Sequence, residues 1–280
     1  MRFTKMQGCG NDYVYINCFE EKVSDPSALS VKISDRHFGI GSDGLVLICP
    51  SETADCRMRM FNPDGSESEM CGNAVRCVTK YVYDRDIVHK KNISVETLAG
   101  IKYIDVQTDE NDKAVMLTVD MGAPVLAPAE IPVVSESEPV TDLVLSAFGK
   151  SFVFTCVSMG NPHAVTFIDI PVKDFDVEKF GKVFETDEHF PKKANIEFVE
   201  VVDGTHLKMR VWERGTGEML ACGTGTCATV AAACLNKICP HKKIEVELSG
   251  GKLMIEWKET DGHIYMTGPA QFSFDGEWMR

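Results

Sequence analysis

The chain repeats itself, and that repeat constrains the fold more than any other feature. Residues 57–72 read RMRMFNPDGSESEMCG and residues 208–223 read KMRVWERGTGEMLACG. A shift of 151 residues carries Met58, Arg59, Glu67, Cys71 and Gly72 onto Met209, Arg210, Glu218, Cys222 and Gly223, and sets Trp212 on Phe61. A second anchor lies upstream: Gly10-Asn11-Asp12 precedes YVYIN, Gly160-Asn161-Pro162 precedes HAVTFI, and Asn11 to Asn161 is 150 residues. Two anchors in one order at nearly one offset mark a duplicated domain.

Local patterns agree with the duplication. In each half, short β-type runs surround one helix. The first half offers strands at Arg2–Met6, Tyr13–Asn17, Leu45–Cys49, Arg57–Phe61, Ile93–Thr97 and Val115–Met121, with a helix through AVRCVTKYVYDR just after Cys71. The second offers Phe152–Val157, Ala164–Ile168, Glu197–Val202, Leu207–Trp212, Ile244–Leu248 and Lys252–Trp257, with a helix through TCATVAAACLNK just after Cys222. The alanines of the second helix favour helix and let a sheet approach closely. The expected fold is α+β: two pseudo-symmetric domains, each a curved, barrel-like, mainly antiparallel sheet around a central helix. Residues 1–118 form the half carrying Cys71 and 119–267 the half carrying Cys222. A Pro-rich stretch from Pro124 to Pro139 marks the crossover, and the end of the chain, about 268–280, is a strand that returns to the first half or stays with the second.

Composition narrows the partners. A chain of 280 residues with 44% hydrophobic and 25% charged residues has the balance of a soluble globular protein. Its net charge of −13 and pI near 5.0 argue against nucleic acid and anionic membranes, which need a basic footprint. The first residues lack the unbroken apolar run of a signal peptide and no segment is long enough to span a bilayer, so a cytoplasmic location is expected. The eleven cysteines are then read as thiols.

Both Cys-Gly pairs stand where a helix N-terminus is expected. Unpaired backbone N–H groups and the helix dipole favour an anion there, which lowers a thiol pKa and makes a nest for a carboxylate. Glycine after each cysteine leaves the backbone open to close approach. An amino-acid carboxylate lying between two such termini would have a sulfur on either side of its α-carbon. One thiolate then removes the α-proton while the opposite thiol protonates the other face. Stereoinversion needs two bases, because a single base returns the proton to the face it left. The helix N-termini would stabilise charge developing on the carboxylate side.

The segments GNDYVYIN, FNPDGSESEMCGNAVRC, GNPHAV and VWERGTGEMLACGTGTCA, in this order and at about this spacing, are together very similar to the diaminopimelate epimerase family, and the resemblance covers nearly the whole chain. It implies two similar α+β domains with the active site between them, and interconversion of LL- and meso-diaminopimelate without pyridoxal phosphate or metal. It places the protein in lysine and peptidoglycan precursor biosynthesis, commonly as a homodimer. The family's catalytic cysteines fall on Cys71 and Cys222. Its carboxylate-binding amides fall on Gly72, Asn73, Gly223 and Thr224. Its substrate-contacting side chains fall on Asn11, Asn62, Asn161, Asn195, Glu213 and Arg214, and its candidates for tuning the thiols on His163 and Glu213. Arg214 would hold a distal carboxylate and Glu213 a distal ammonium. One departure concerns GIGSDG: some members carry Gln where this chain has Gly44, so that contact is not carried over.

Plainer roles compete for several residues. Cys77 and Cys227 lie inside the helices and read as core. Cys9, Cys18, Cys49, Cys56, Cys156, Cys234 and Cys239 have no CxxC spacing, so a zinc site is not expected. His163 could be structural, Asn11 and Asn161 plain turn residues, and Glu213-Arg214 a surface ion pair. HFGIGSDG lacks the Lys and Ser/Thr of a phosphate loop. Two other functions stay open on the residues alone: a racemase for a simpler amino acid, and a thiol redox or metal-binding protein.

Overall fold

The computed structural model describes residues 1–240 and 243–279. They form two compact units, Met1–Asp120 with Thr267–Arg280, and Met121–Met266. The chain crosses from the first unit after Asp120 and is back in it from Thr267.

The first unit runs β1 (Arg2–Gly8), β2 (Asn11–Asn17), α1 (Pro26–Ser34), β3 (Leu45–Cys49), β4 (Cys56–Phe61), β5 (Glu67–Ser68), α2 (Gly72–Asp84), β6 (Asn92–Thr97), β7 (Gly100–Thr108) and β8 (Ala114–Asp120). The second runs β9 (Leu143–Ala147), β10 (Lys150–Ser158), β11 (Pro162–Ile168), α3 (Val177–Phe184), β12 (Asn195–Asp203), β13 (His206–Glu213), β14 (Gly217–Met219), α4 (Gly223–Leu235), β15 (Lys243–Leu248), β16 (Gly251–Trp257) and β17 (Ile264–Gly268). The last strand, β18 (Gln271–Glu277), belongs to the first unit.

The two units have one topology. In the first, β1–β2 is antiparallel, β2–β3 parallel, β3–β4 antiparallel, β4–β6 parallel and β6–β7 antiparallel. In the second, β10–β11, β11–β12, β12–β13, β13–β15 and β15–β16 repeat that order of directions. The returning strand β18 lies antiparallel beside β1 in the place β9 holds beside β10. Register is repeated too: Arg59 forks onto Glu67 at 2.8 and 2.9 Å, and Arg210 onto Glu218 at 2.7 and 3.0 Å.

Each sheet packs around one helix. In α2, Ala74, Val75, Cys77, Val78 and Val82 are fully buried; in α4, so are Cys227, Ala228 and Val230 through Ala233. The alanine-rich α4 is apolar all round, as a helix enclosed by its sheet has to be.

The expectation of one helix per half needs correcting, because each unit has a second helix outside its sheet. Asp25 caps α1 by accepting from the Ala28 N–H at 3.0 Å, with Pro26 in the first turn, and Asp176 caps α3 by accepting from Lys179 N–H at 3.2 Å. Both helices are short; the apolar residues of α1 are weakly periodic, whereas in α3 Val177, Phe180 and Phe184 recur at helical spacing and are buried. The repeat offset does reveal them, since Pro26 shifted by 151 falls on Val177. Their contacts differ: α1 covers an aliphatic cluster of Val14, Ile16, Ile33, Leu45 and Leu47, whereas α3 closes on Phe154, Phe175, Phe180, Phe184 and Phe198.

Candidate active site

Two half-sites stand at the N-termini of the enclosed helices, one in each unit. In the first, Cys71 is the N-cap of α2, and Gly72 is its first helical residue. The Cys71 thiol lies 3.4 Å from Asn11 Oδ1 and Asn73 Nδ2 donates to the same oxygen at 3.3 Å, so three of the expected residues meet there. Asn11 is held from its other end, donating through Nδ2 to Asp43 Oδ2 at 2.7 Å. Asn73 accepts at Oδ1 from Arg76 Nη2 at 2.9 Å. Arg76 is completely buried and also donates to Gly72 O and Pro269 O, both at 3.2 Å. Burial pushes the Asp43 carboxyl up from its usual range, and the charge of neighbouring Asp12 adds to this. Burial pushes Asp12 up as well, but Lys5 and Arg36 outweigh it and hold that carboxyl down.

Asn62 is placed differently. It follows β4 in the turn toward β5, and its Nδ2 donates to Ser66 Oγ at 3.0 Å. Gly44, the position of the departure noted in the sequence, has a backbone fitted to glycine. It adopts φ +150°, and a Cβ there would lie 2.2 Å from Phe61 O, so a longer residue has no room.

In the second unit, Cys222 is the N-cap of α4, with Gly223 first in the helix. Its sulfur accepts from the Gly225 N–H at 3.4 Å and sits 3.5 Å from Thr224 Oγ1. Behind it runs a buried chain. His163 Nδ1 lies 2.7 Å from Glu197 Oε1, its Nε2 lies 3.0 Å from Asn161 Oδ1, and Asn195 Nδ2 stands 3.4 Å from Nδ1. Asn195 in turn accepts at Oδ1 from the Arg214 N–H at 2.8 Å, while Arg214 Nη1 donates to Lys192 O at 3.0 Å. His163, Asn161, Asn195 and the Arg214 backbone are thus joined in one chain, and it is Glu197 of that chain whose charge reaches Cys222. Burial pushes the Cys222 thiol well above its usual pKa, and the carboxylates of Glu213 and Glu197 push it further. The expectation that a helix N-terminus lowers the thiol pKa is therefore overturned at Cys222, where the Gly225 N–H hydrogen bond favours thiolate but is outweighed.

Several residues escaped the sequence reading. Asp43 anchors Asn11, Arg76 anchors Asn73, and Glu197 anchors His163. Both His163 and Glu197 are fully buried, and Glu197 Oε2 has no hydrogen-bond partner. Gly225 makes room for that carboxylate: a Cβ at 225 would lie 2.6 Å from Glu197 Oε1 and 3.2 Å from Cys222 Sγ. A charged residue amid the apolar run NIEFVE was the available signal for Glu197, and Arg76 inside an otherwise apolar helix face was the signal for the first half. Among the described residues, no group of three or more His, Cys, Asp or Glu side chains is placed to hold a metal ion.

The chain matches the family model described as diaminopimelate epimerase over residues 3–127 and 155–273. It is 57% identical over 277 residues to a diaminopimelate epimerase of Methanococcus maripaludis, covering 99% of each chain. It is 58% identical over 277 residues to one of Acetivibrio thermocellus, covering 99% of this chain and 98% of that one. Its fold is similar to that of a Bacillus anthracis phenazine biosynthesis protein of the PhzF family, with a TM-score of 0.72 and 18% identity over 100% of this chain and 99% of that one. By family model and by identity along its length, the chain belongs to the diaminopimelate epimerase family of isomerases.

Proposed function

We propose that this protein interconverts LL- and meso-2,6-diaminopimelate by moving a proton from one face of an α-carbon to the other, with Cys71 and Cys222 as the two bases and no cofactor. One observation carries the reading: the topology of both units puts a cysteine at the N-cap of the enclosed helix, followed by glycine. Inversion needs two acid–base groups of one kind, and the duplication supplies two.

The surroundings of the thiols divide the work. Cys222, kept protonated by burial and by Glu213 and Glu197, is the proton donor of the resting protein. Cys71 is then the base for the epimer that presents its α-hydrogen to that thiol, and the reverse reaction exchanges the roles. The N–H groups of Gly72 and Asn73, and of Gly223 and Thr224, hold the α-carboxylate and stabilise charge that builds up on it. Asn11 and Asn161 position the amino-acid head. Glu213, Arg214 and the asparagines at 62 and 195 bind the distal ammonium and carboxylate, which gives preference for a substrate charged at both ends. His163, held by Glu197, orients Asn161.

This reading extends to a role in lysine and peptidoglycan precursor biosynthesis, a cytoplasmic location and a homodimer, all supported by the family relation. Among the described residues no helix is long and apolar enough to cross a membrane. Sedimentation of the reduced protein checks the dimer.

The central test follows the α-hydrogen by NMR while reduced enzyme turns over LL-diaminopimelate in D₂O, with Cys71→Ala and Cys222→Ala alongside. Solvent deuterium should enter as meso product forms, and each variant should lose activity by on the order of 10³-fold, in keeping with removal of a general acid or base. A folded, reduced enzyme that yields no meso product and no exchange would sink the proposal.

A further inference from the structure

Away from both half-sites, the first unit brings together two thiols that the reaction does not use. Side chains alternate across a sheet, so Val14 and Ile16 of β2 point to one face, as do Leu45, Leu47 and Cys49 of β3, and Cys18 follows directly on β2. The parallel register sets Val14 beside Leu45 and Ile16 beside Leu47. The ladder continues through the Cys18 N–H, which donates to Ile48 O at 2.8 Å, so the next residues to meet on that face are Cys18 and Cys49. Both pack against the same aliphatic cluster under α1, and both are partly exposed.

Neighbouring strands lie about 4.7–4.9 Å apart. That spacing is inside the Cα separation of about 4.4–6.8 Å that a disulfide spans. The two thiols stand near enough for each to shift the other's ionisation. Arg57 stands opposite Cys49 in the β3–β4 register, and the charge of Arg59 also reaches it. Cys18, together with Arg59 and Arg57, holds the Cys49 thiol below its ordinary pKa against the effect of burial, while Cys49 and burial push the Cys18 thiol up. The second unit has Ile168 beside Glu200 at the matching register, so the pair is no relic of the repeat.

We propose that Cys18 and Cys49 are a dithiol modification site that closes to an intramolecular disulfide by exchange with a small-molecule disulfide. The Cys49 thiolate attacks one sulfur of the reagent and forms a mixed disulfide, expelling the first thiolate. Cys18 gives up its proton and attacks the Cys49 sulfur, expelling the second. The two cysteines lose two electrons, the reagent gains them, and the protons of the two cysteines end on the two released thiols.

The test uses the full reduced chain, glutathione disulfide at neutral pH, a blocking step with N-ethylmaleimide, and peptide mapping without reduction. A linked pair of peptides carrying Cys18 and Cys49, two hydrogens lighter than their sum and separated by dithiothreitol, is the expected product. In Cys18→Ser, glutathione should stay on Cys49 as a trapped mixed disulfide. Recovery of both cysteines as maleimide adducts from the oxidised wild type would overturn the proposal, as would a Cys49 left unmodified in folded Cys18→Ser.

Discussion

The two half-sites have one backbone plan and different electrostatics. In the first unit, Cys71 faces an amide, and the amides Asn11 and Asn73 lead back to a buried cation, Arg76. In the second, Cys222 faces carboxylates: Glu213 and Glu197 both raise its thiol, and Glu197 is paired with His163 in full burial. Position by position the exchange is legible. The offsets of the repeat set Tyr13 against His163, Val46 against Glu197, Ala74 against Gly225 and Arg76 against Cys227. The two thiols thus hold equivalent backbone positions and have unlike neighbours, an amide network anchored by Arg76 and Asp43 at Cys71 and the carboxylates of Glu213 and Glu197 at Cys222. The proposed reaction needs one thiol charged and one neutral at the start of each turn, and unlike surroundings would sort the proton between them.

The strongest way to break this comparison is to give each helix the other's small residue. Gly225→Ala puts a methyl where only 2.6 Å separates it from Glu197 Oε1, so the buried carboxylate or the start of α4 has to move. The expected loss in kcat is roughly 10²-fold, since displacement of a positioned group by about an ångström has that effect. Ala74→Gly meets no such carboxylate and should cost only about 0.5–1 kcal/mol of stability, read by denaturant unfolding, with kcat retained. Equal losses in both would mean that the asymmetry is unimportant.

Arg76→Met removes the donor to Gly72 O, Asn73 Oδ1 and Pro269 O. Buried acceptors left without a partner cost about 1–3 kcal/mol each, so the melting temperature should fall by several degrees and KM should rise as Asn73 loses its orientation. At the matching position Cys227→Ser should change KM little.

A smaller effect sharpens the electrostatic half of the comparison. Glu213→Gln and Glu197→Gln each delete a negative charge that opposes ionisation of Cys222, and the first has the larger influence. Iodoacetamide should therefore alkylate Cys222 several-fold faster at fixed pH in Glu213→Gln, and somewhat less so in Glu197→Gln. An unchanged rate in both would show that burial alone sets the thiol.

The effect most remote from the comparison is on alkaline stability. Burial pushes Cys77 to about 11 and Cys56, Cys156 and Cys234 to about 12. An unfolded chain ionises these thiols near their ordinary value of about 8.5. Between that pH and the folded values the unfolded state binds fewer protons than the native one, so stability is intact below about pH 8.5 and declines as pH rises toward 11–12. Melting scans across that window check the sign.

The sequence carried the site as far as its repeat reached. Cys71 and Cys222 with their glycines, and Asn11 and Asn161 in their turns, were recognisable because each occurs twice at one offset. The second helices, α1 and α3, were equally marked by that offset, but both are short and the apolar residues of α1 are only weakly periodic. Asn62 and Asn195 show the limit of transfer by motif: Asn195 joins the His163 chain, while Asn62 bonds to Ser66 within its own turn. Arg76 and Asp43 stood inside quoted segments and Glu197 outside them, but none of the three was singled out, since nothing in a residue's neighbours along the chain says which buried group it will face.

What the sequence determined by itself is the duplication, the two helix starts with a thiol at each, and hence a pair of acid–base groups of one chemical kind. Pattern and propensity act over a few residues, and a repeat copies them intact. Only the tertiary structure decided how those thiols differ. The registers of β2 with β3 and of β11 with β12 set Glu197 and Asp43 behind the helix N-termini. A charge there acts through a low-dielectric interior over a few ångströms, so its effect depends on distances that exist only once the sheets have formed.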